Sequence, residues 1–132
     1  MGQLQDGFAT LRRSRRPNDY LVAPDGFCQQ AKPDALSPTF ETSPKALYAA
    51  LVKLLGAQTG VTELVRNDEE CFVRYVAVTQ LLRFKDDVAF QVLPLGDIAT
   101  VAAYSASRVG HSDLGTNKKR VDEILMSLKG VS

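Results

Sequence analysis

The sequence lacks the features that mark membrane-spanning, secreted and metal-binding proteins. No apolar run among its 132 residues approaches the ~20 residues needed to cross a bilayer. The N-terminus has no continuous apolar core, so we expect no secretory signal there. The single histidine, His111, has no second ligand type at metal-site spacing. We therefore expect neither a metal site nor a cofactor.

The sequence also has few cysteines and almost no net charge. The two cysteines, Cys28 and Cys71, lie far apart in the chain, and without a cysteine framework we expect two free thiols rather than a disulfide. The formal net charge is +1, so no overall field draws the chain towards nucleic acid or anionic lipid. We expect no nucleic-acid partner.

What is present divides into a short basic arm and one domain. Residues 1–16 are weakly apolar and include four clustered arginines: Arg12, Arg13, Arg15 and Arg16. This arm predicts a solvated tail or a short helix, and the alternative is a tether to an acidic partner, a membrane surface or RNA. No aromatic residue is interleaved with the arginines, which argues against RNA. Residues 17–132 form the single domain, long enough for one sizeable core.

Helices are predicted near both ends of this domain. Five prolines in residues 17–44 first predict an irregular segment laid over the core. A helix then begins after Ser43, a good N-cap that is followed by proline. A second helix begins near residues 116–117. Each has an apolar stripe at helical spacing: Leu47, Leu51, Leu54 and Leu55 in the first, and Val121, Ile124, Leu125 and Leu128 in the second.

Four strand-like segments lie between the helices, over residues 61–66, 71–83, 88–93 and 98–105. Their short connections suit antiparallel hairpins. The order α-β-β-β-β-α predicts an α+β fold, a two-layer sandwich of a four-stranded antiparallel sheet with both helices on one face. Because the strands hold more apolar residues than two helices cover, the opposite face is either covered by the proline-rich segment or open to a partner or ligand.

The stretch SASRVGHSDLGTNKKR, residues 105–120, has more directional polar chemistry than a connection requires. Lys118, Lys119 and Arg120 place three cations at the positive end of the second helix dipole, which is unfavourable. A compensating anion is therefore expected. It is either an internal carboxylate or an external phosphate or carboxylate.

We predict a network or binding site from this stretch together with RFKDD, residues 83–87. Its members are Arg83, Asp86, Asp87, Arg108, Ser112, Asp113, Asn117 and Arg120. We favour a self-satisfied structural network of ion pairs and capping hydrogen bonds. The alternatives are anion binding, in which Arg108 clamps a carboxylate, and catalysis with Asp113 or His111 transferring protons. No catalytic residue is assigned.

The same motifs carry a family resemblance. Residues 105–120 resemble the signature of the DUF1499 family, as do RFKDD at 83–87, NDYLVAP at 18–24 and KPDALSP at 32–38. The resemblance implies a small, mostly stand-alone domain of unknown function, found in bacteria, algae and plants, with no established catalytic residues. It implies a cytoplasmic location in a bacterium, or a plastid location with a targeting segment outside this sequence.

Three functional hypotheses result. We favour a non-enzymatic accessory protein that binds a protein or a hydrophobic ligand with an acidic group. The resemblance implies that it supports photosynthesis, through pigment synthesis or photosystem assembly. The first alternative is a small enzyme acting on an anionic molecule at the turn between Arg108 and Arg120. The second is a module that contacts a membrane surface or RNA through the arginines of residues 12–16.

Overall fold

The two helices form where the sequence predicts them. The structure, a computed structural model, describes residues 7–13, 17–110 and 113–130. Helix α1 spans Pro44–Gly56 and helix α2 spans Thr116–Lys129. Ser43 caps α1, because its hydroxyl accepts a hydrogen bond from the Ala46 amide at 3.2 Å. The helices bury their apolar stripes: Leu47, Tyr48, Leu51 and Leu55 in α1, and Val121, Ile124, Leu125 and Leu128 in α2.

The sheet is larger than the sequence predicts. Seven strands form one mixed sheet: β1 (Asp19–Ala23), β2 (Ala35–Leu36), β3 (Thr39–Phe40), β4 (Val61–Asn67), β5 (Phe72–Val78), β6 (Lys85–Leu95) and β7 (Ile98–Ser107). Their order is β2-β1-β7-β6-β5-β4, and β3 pairs with β7 next to β1. The predicted four-stranded antiparallel sheet is wrong, because the proline-rich segment adds three strands and β1 pairs with β2 in parallel. The α+β class holds.

Prolines bound the added strands instead of preventing them. Strand β1 lies between Pro17 and Pro24, and it buries Leu21, Val22 and Ala23. Proline lacks an amide hydrogen and cannot donate a backbone hydrogen bond. Because Pro17 and Pro24 lie outside the strand, they remove no hydrogen bond between β1 and its neighbouring strands. The irregular segment predicted for residues 17–44 is therefore wrong where β1, β2 and β3 form.

Strand β5 is shorter than predicted. It ends at Val78, and residues 79–84 form the turn into β6. The Thr79 amide donates to the Phe84 carbonyl at 2.9 Å, and the Thr79 hydroxyl accepts from the Phe84 amide at 2.8 Å. Arg83 has a φ of 58°, a left-handed conformation that ends an extended strand.

The two faces of the sheet are covered in different ways. The helix face packs against α1 and α2 around Val73, Phe90 and Val101. The second face packs under residues 7–13 and 24–31, which bury Phe8 and Leu11 against the sheet. The described part of the basic arm therefore belongs to the folded core, while the division of the chain at residue 16 stays a prediction. Neither described helix is long and apolar enough to cross a membrane.

The cysteines lie on opposite faces of the sheet. Cys28 is buried in the core of the second face, and Cys71 packs partly buried against the core of the helix face. Both are free thiols, as the sequence predicts. Burial raises the pKa of each thiol above its ordinary value, which lowers the reactive thiolate fraction at neutral pH.

Candidate functional site

A buried asparagine organises the predicted polar turn. Asn117, in the first turn of α2, is 0% exposed. Its amide nitrogen lies within hydrogen-bond distance of three oxygens: Asn18 O at 3.0 Å, Ser107 Oγ at 3.0 Å and Asp113 Oδ2 at 2.6 Å. Because these partners belong to the entry of β1, the end of β7 and the connection before α2, one side chain joins three elements.

Asp113 caps the start of α2. Its carboxylate accepts hydrogen bonds from the Gly115 amide at 2.9 Å and the Asn117 amide at 3.0 Å. Gly115 occupies the N-cap position with a φ of 83° and has no side chain to cap the helix, so the upstream carboxylate takes this role. An internal anion thus lies at the positive end of the helix dipole.

Arg120 and Asp86 form a buried ion pair beside Asn117. Arg120 Nη2 lies 2.7 Å from Asp86 Oδ2, and the two side chains are 15% and 2% exposed. This ion pair compensates the Asp86 carboxylate, because Asp86 Oδ2 has no other donor among the described residues. Arg120 Nη1 instead donates to Ser105 Oγ at 3.0 Å and to Asn117 Oδ1 at 2.9 Å. Removing either partner would leave a buried charge uncompensated.

Asp87 points to the second face, away from Asp86, because successive strand residues alternate. There Arg108 Nε and Nη2 donate to the two Asp87 carboxylate oxygens at 3.0 Å and 2.8 Å. This is a bidentate pair, and Arg108 remains 42% exposed. Arg108, which would clamp an external carboxylate in the anion-binding alternative, therefore pairs with an internal one.

Of the predicted residues that the structure describes, Arg83 does not join the network. Arg83 is exposed in the turn of residues 79–84, and its side chain forms no hydrogen bond or ion pair with a described residue. Ser112 lies outside the described residues, as does His111. No group of three His, Cys, Asp or Glu side chains in the described ranges could hold a metal ion.

A second network, which the sequence analysis missed, fixes the N-terminal segment to the second face. The Arg13 guanidinium lies 2.8 Å from an Asp19 carboxylate oxygen and 2.6 Å from an Asp34 oxygen. Tyr104 donates its hydroxyl hydrogen to Asp19 at 2.7 Å. Burial opposes the charge of Arg13, but the hydrogen bonds to Asp19 and Asp34 outweigh it and raise the Arg13 pKa. This arginine is engaged within the fold.

A cleft lies on the second face beside residues 7–9, the first described residues of the N-terminal cover. This second-face cleft has a volume of about 570 Å³ and lies between residues 7–9, residue 27 and the strands β4, β5 and β6. Its apolar lining comes from Phe8, Phe27, Phe72 and Val65. The Phe8 ring centroid lies 6.1 Å from that of Phe27 and 6.2 Å from that of Phe72. The volume falls within the range of small-molecule sites.

Within the described part of the chain, the second-face cleft has one cation without a partner. Arg74 on β5 is half-buried, and its side chain forms no ion pair or hydrogen bond with a described residue. Arg66 also lines the cleft, but its guanidinium pairs with Asp68 at 3.0 Å. Glu70 is exposed in the β4–β5 turn, and its carbonyl accepts from the Gln91 side chain at 3.1 Å. Of the two arginines that line the cleft, Arg74 is thus the one whose guanidinium is available to pair with a ligand.

A second depression, of about 890 Å³, lies between α1 and the β4–β5 turn. Its lining includes Tyr48, whose hydroxyl donates to Asp68 at 2.7 Å, while Arg66 donates to the same carboxylate. Burial and this hydrogen bond raise the pKa of Tyr48 to about 12. Because these polar groups satisfy one another, we place the candidate site in the second-face cleft.

Sequence reasoning missed the cleft for a definable reason. Two of its aromatic residues, Phe8 and Phe27, come from segments without periodicity, and no local pattern predicts where such segments pack. One signal was present in β5, where Phe72, Arg74 and Val76 alternate onto one face. An arginine between two apolar residues, on a sheet face that the helices do not cover, is the sequence feature that could have indicated the cleft.

These features define a small α+β domain with a mixed sheet and two helices on one face. The model of the family "Protein of unknown function (DUF1499)" matches residues 15–128, so the chain belongs to the DUF1499 family, as the motifs indicate. No curated protein matches the chain. Among solved structures, TTHA0849 from Thermus thermophilus is similar at 15% identity over 71% of this chain and 86% of that chain, with a TM-score of 0.32.

Proposed function

We propose that this protein binds an amphipathic organic acid, a molecule with an apolar body and one carboxylate, in the second-face cleft. The observation that supports the proposal is the half-buried Arg74, which has no partner among the described residues, beside a floor of three phenylalanines. Apolar pockets with a few oriented polar groups are the usual form of small-molecule sites.

The apolar body of the ligand would contact the partly exposed rings of Phe27 and Phe72, which pack against the buried ring of Phe8. These rings come from the N-terminal segment, the segment after β1 and the start of β5, so the ligand would bridge parts of the chain that are distant in sequence. Burial of apolar surface contributes roughly 25 cal/mol per Å². An acyl chain or a small ring system would supply such surface.

The acidic group would face Arg74. Guanidinium groups bind carboxylates through two parallel hydrogen bonds, and partial burial strengthens this interaction. Glu70 lies at the exposed rim and favours a cation there, so the test must separate acids from amines.

The contacts of the polar turn give less support to the alternative hypothesis, a small enzyme that acts on an anionic molecule there. Arg108 and Arg120, which would bind the anionic substrate, are already paired with Asp87 and Asp86. We retain a non-enzymatic accessory role as part of the proposal. Support of photosynthesis, a protein partner and a cytoplasmic or plastid location stay predictions, and no contact among the described residues bears on them.

Titration calorimetry with three ten-carbon probes tests the proposal. We expect decanoate to bind and decanol and decylamine to bind more weakly, because only decanoate pairs with Arg74. Arg74→Gln should weaken decanoate binding by roughly tenfold to a hundredfold, the value of a charged hydrogen-bonded contact, and bring it to the decanol level. Arg83→Gln, which changes an exposed arginine outside the cleft, should leave decanoate binding unchanged.

A second pair of variants tests the location of the site. Val65→Asp places a carboxylate in the cleft, whereas Leu64→Asp places one on the opposite sheet face at the neighbouring residue. Both positions are partly exposed, at 44% and 38%, so both variants should fold. Val65→Asp alone should reduce decanoate binding. Equal binding of all three probes, or equal effects within either pair of variants, would refute the proposal.

A further inference from the structure

One end of the sheet concentrates exposed apolar side chains. Of the ten large apolar residues exposed in the described ranges, five lie in two connections at this end: Leu81, Leu82, Phe84, Val109 and Leu114. The most exposed are Leu114 at 95% and Leu81 at 91%. Exposed apolar residues that cluster in this way mark interaction sites.

Strand pairing brings these two connections together. The β5–β6 turn, residues 79–84, leads into Lys85, whose carbonyl accepts the Arg108 amide hydrogen at 3.1 Å. Asp86 pairs with Ser107 in the same ladder. The start of the β7–α2 connection, which contains Val109, therefore lies beside the end of the β5–β6 turn, and Leu114 follows at the same end of the sheet on the β1 side, where the Asp113 amide donates to the Pro17 carbonyl at 3.3 Å. We call this surface the apolar tip.

The fold holds the β5–β6 turn of the apolar tip in a defined conformation. The β5–β6 turn is closed by Thr79, which forms two hydrogen bonds with Phe84 and accepts the Arg83 amide hydrogen at 3.0 Å. Arg83 and Leu114 both have left-handed backbones, with φ of 58° and 54°. Such conformations are unfavourable for residues other than glycine and persist where the surrounding structure holds them.

The charge around the apolar tip is positive. Lys85, Lys119 and Arg83 are exposed, and their side chains have no ion pair with a described residue. The acidic side chains of residues 79–87 and 108–122 are compensated within the fold: Asp86 by Arg120, Asp87 by Arg108, Asp113 by the start of α2 and Asp122 by Lys118. Within these two described stretches, the unneutralised charge is therefore cationic.

We propose that the apolar tip docks on a lipid bilayer containing anionic phospholipids. The leucines and Phe84 would enter the interface between head groups and acyl chains, and the three cations would contact the lipid phosphates. Charge complementarity favours this partner, because a neutral apolar surface would leave the cations unmatched. The docking is independent of the second-face cleft, which lies towards the β4–β5 turn at the other end of the sheet.

Sedimentation of the full chain with vesicles tests the docking. We expect binding to phosphatidylcholine vesicles that contain phosphatidylserine, and much weaker binding to phosphatidylcholine alone. The double variant Lys85→Gln/Lys119→Gln should lose about fivefold in partitioning for each lysine, at roughly 1 kcal/mol per cation near an anionic surface. Lys45→Gln/Lys53→Gln, two exposed lysines on α1, is the control and should bind as the wild type does.

Separate variants test how much the apolar side chains of the tip contribute to vesicle binding. Leu81→Ser/Leu114→Ser should reduce binding by at least about tenfold, since each leucine contributes more than 1 kcal/mol when buried. Leu95→Ser/Met126→Ser, solvent-exposed changes outside the tip, should have no effect. Loss of a dimer in the Leu81→Ser/Leu114→Ser variant, without any change in vesicle binding, would show an interface between copies and overturn the proposal.

Fluorescence gives a reading that does not depend on loss of binding. The chain has no tryptophan, so Leu81→Trp and Leu114→Trp each introduce a single probe. Both should shift to the blue when phosphatidylserine vesicles are added, and Met126→Trp should not. Unshifted emission at both tip positions, or equal sedimentation with neutral and anionic vesicles, would also overturn the proposal.

Discussion

At the scale of single residues, the polar turn contains a buried network in which Asp86 compensates Arg120 and Asp113 occupies the start of α2. Hydrogen bonds of 2.5–3.0 Å connect Asn117 and Arg120 of α2 to Asn18 before β1 and to β7, and the Arg120–Asp86 ion pair at 2.7 Å connects α2 to β6. Buried polar groups cost free energy unless they are hydrogen-bonded, so such a network fixes one arrangement of the elements. The three cations of α2 are then tolerated, because Asp113 occupies the helix end and Asp86 neutralises Arg120.

Asp113→Ala tests this network. The change removes two acceptors from amides at the start of α2 and one acceptor from Asn117, so the free energy of unfolding should fall by about 1–3 kcal/mol. Asp122→Ala, which breaks only the exposed pair with Lys118, should change it by less than about 0.5 kcal/mol. Chemical denaturation measures both values. Equal effects of the two variants would contradict the network.

At the scale of elements, the N-terminal segment behaves as part of the core. Phe8 is 1% exposed and Leu11 is 0% exposed, and Arg13 fastens the segment to Asp19 and Asp34. Without this cover, the second face would expose Leu21, Ala102 and Tyr104 to water. The segment therefore contributes to stability and also forms one wall of the second-face cleft.

Leu11→Ala should lower the free energy of unfolding by about 2–4 kcal/mol, the usual cost of removing a buried leucine side chain. Thr10→Ala, at an exposed neighbour, should be nearly neutral. Urea denaturation of the full chain gives both numbers. A Leu11→Ala variant as stable as the wild type would mean that the segment does not pack on the sheet.

The helices and strands also show which elements a local sequence pattern can predict and which it cannot. The helices were predictable because caps and 3.6-residue periodicity are local, and the hairpin strands from β4 to β7 were predictable from alternation and short turns. Strand β1 was not predicted because its partner, β7, lies far away in sequence, and its flanking prolines indicated irregular chain. The contacts of Asn117 with Asn18 and of Arg13 with Asp19 likewise depend on that long-range pairing.

At the scale of the whole molecule, the proposed ligand site lies away from the polar network. The second-face cleft lies towards the β4–β5 turn, and the apolar tip lies at the other end of the sheet, beside the polar network that joins α2 to β6 and β7. The central claim is that Arg74, rather than the internally paired Arg108 or Arg120, receives an acidic ligand.

Backbone amide chemical shifts of the isotope-labelled chain, recorded while decanoate is added, test this claim most directly. The account predicts saturable shifts at Phe72, Arg74 and Gln91, with little change at Arg108, Asn117 and Arg120. Saturable shifts confined to residues 105–120 would place the ligand at the polar turn and contradict the account.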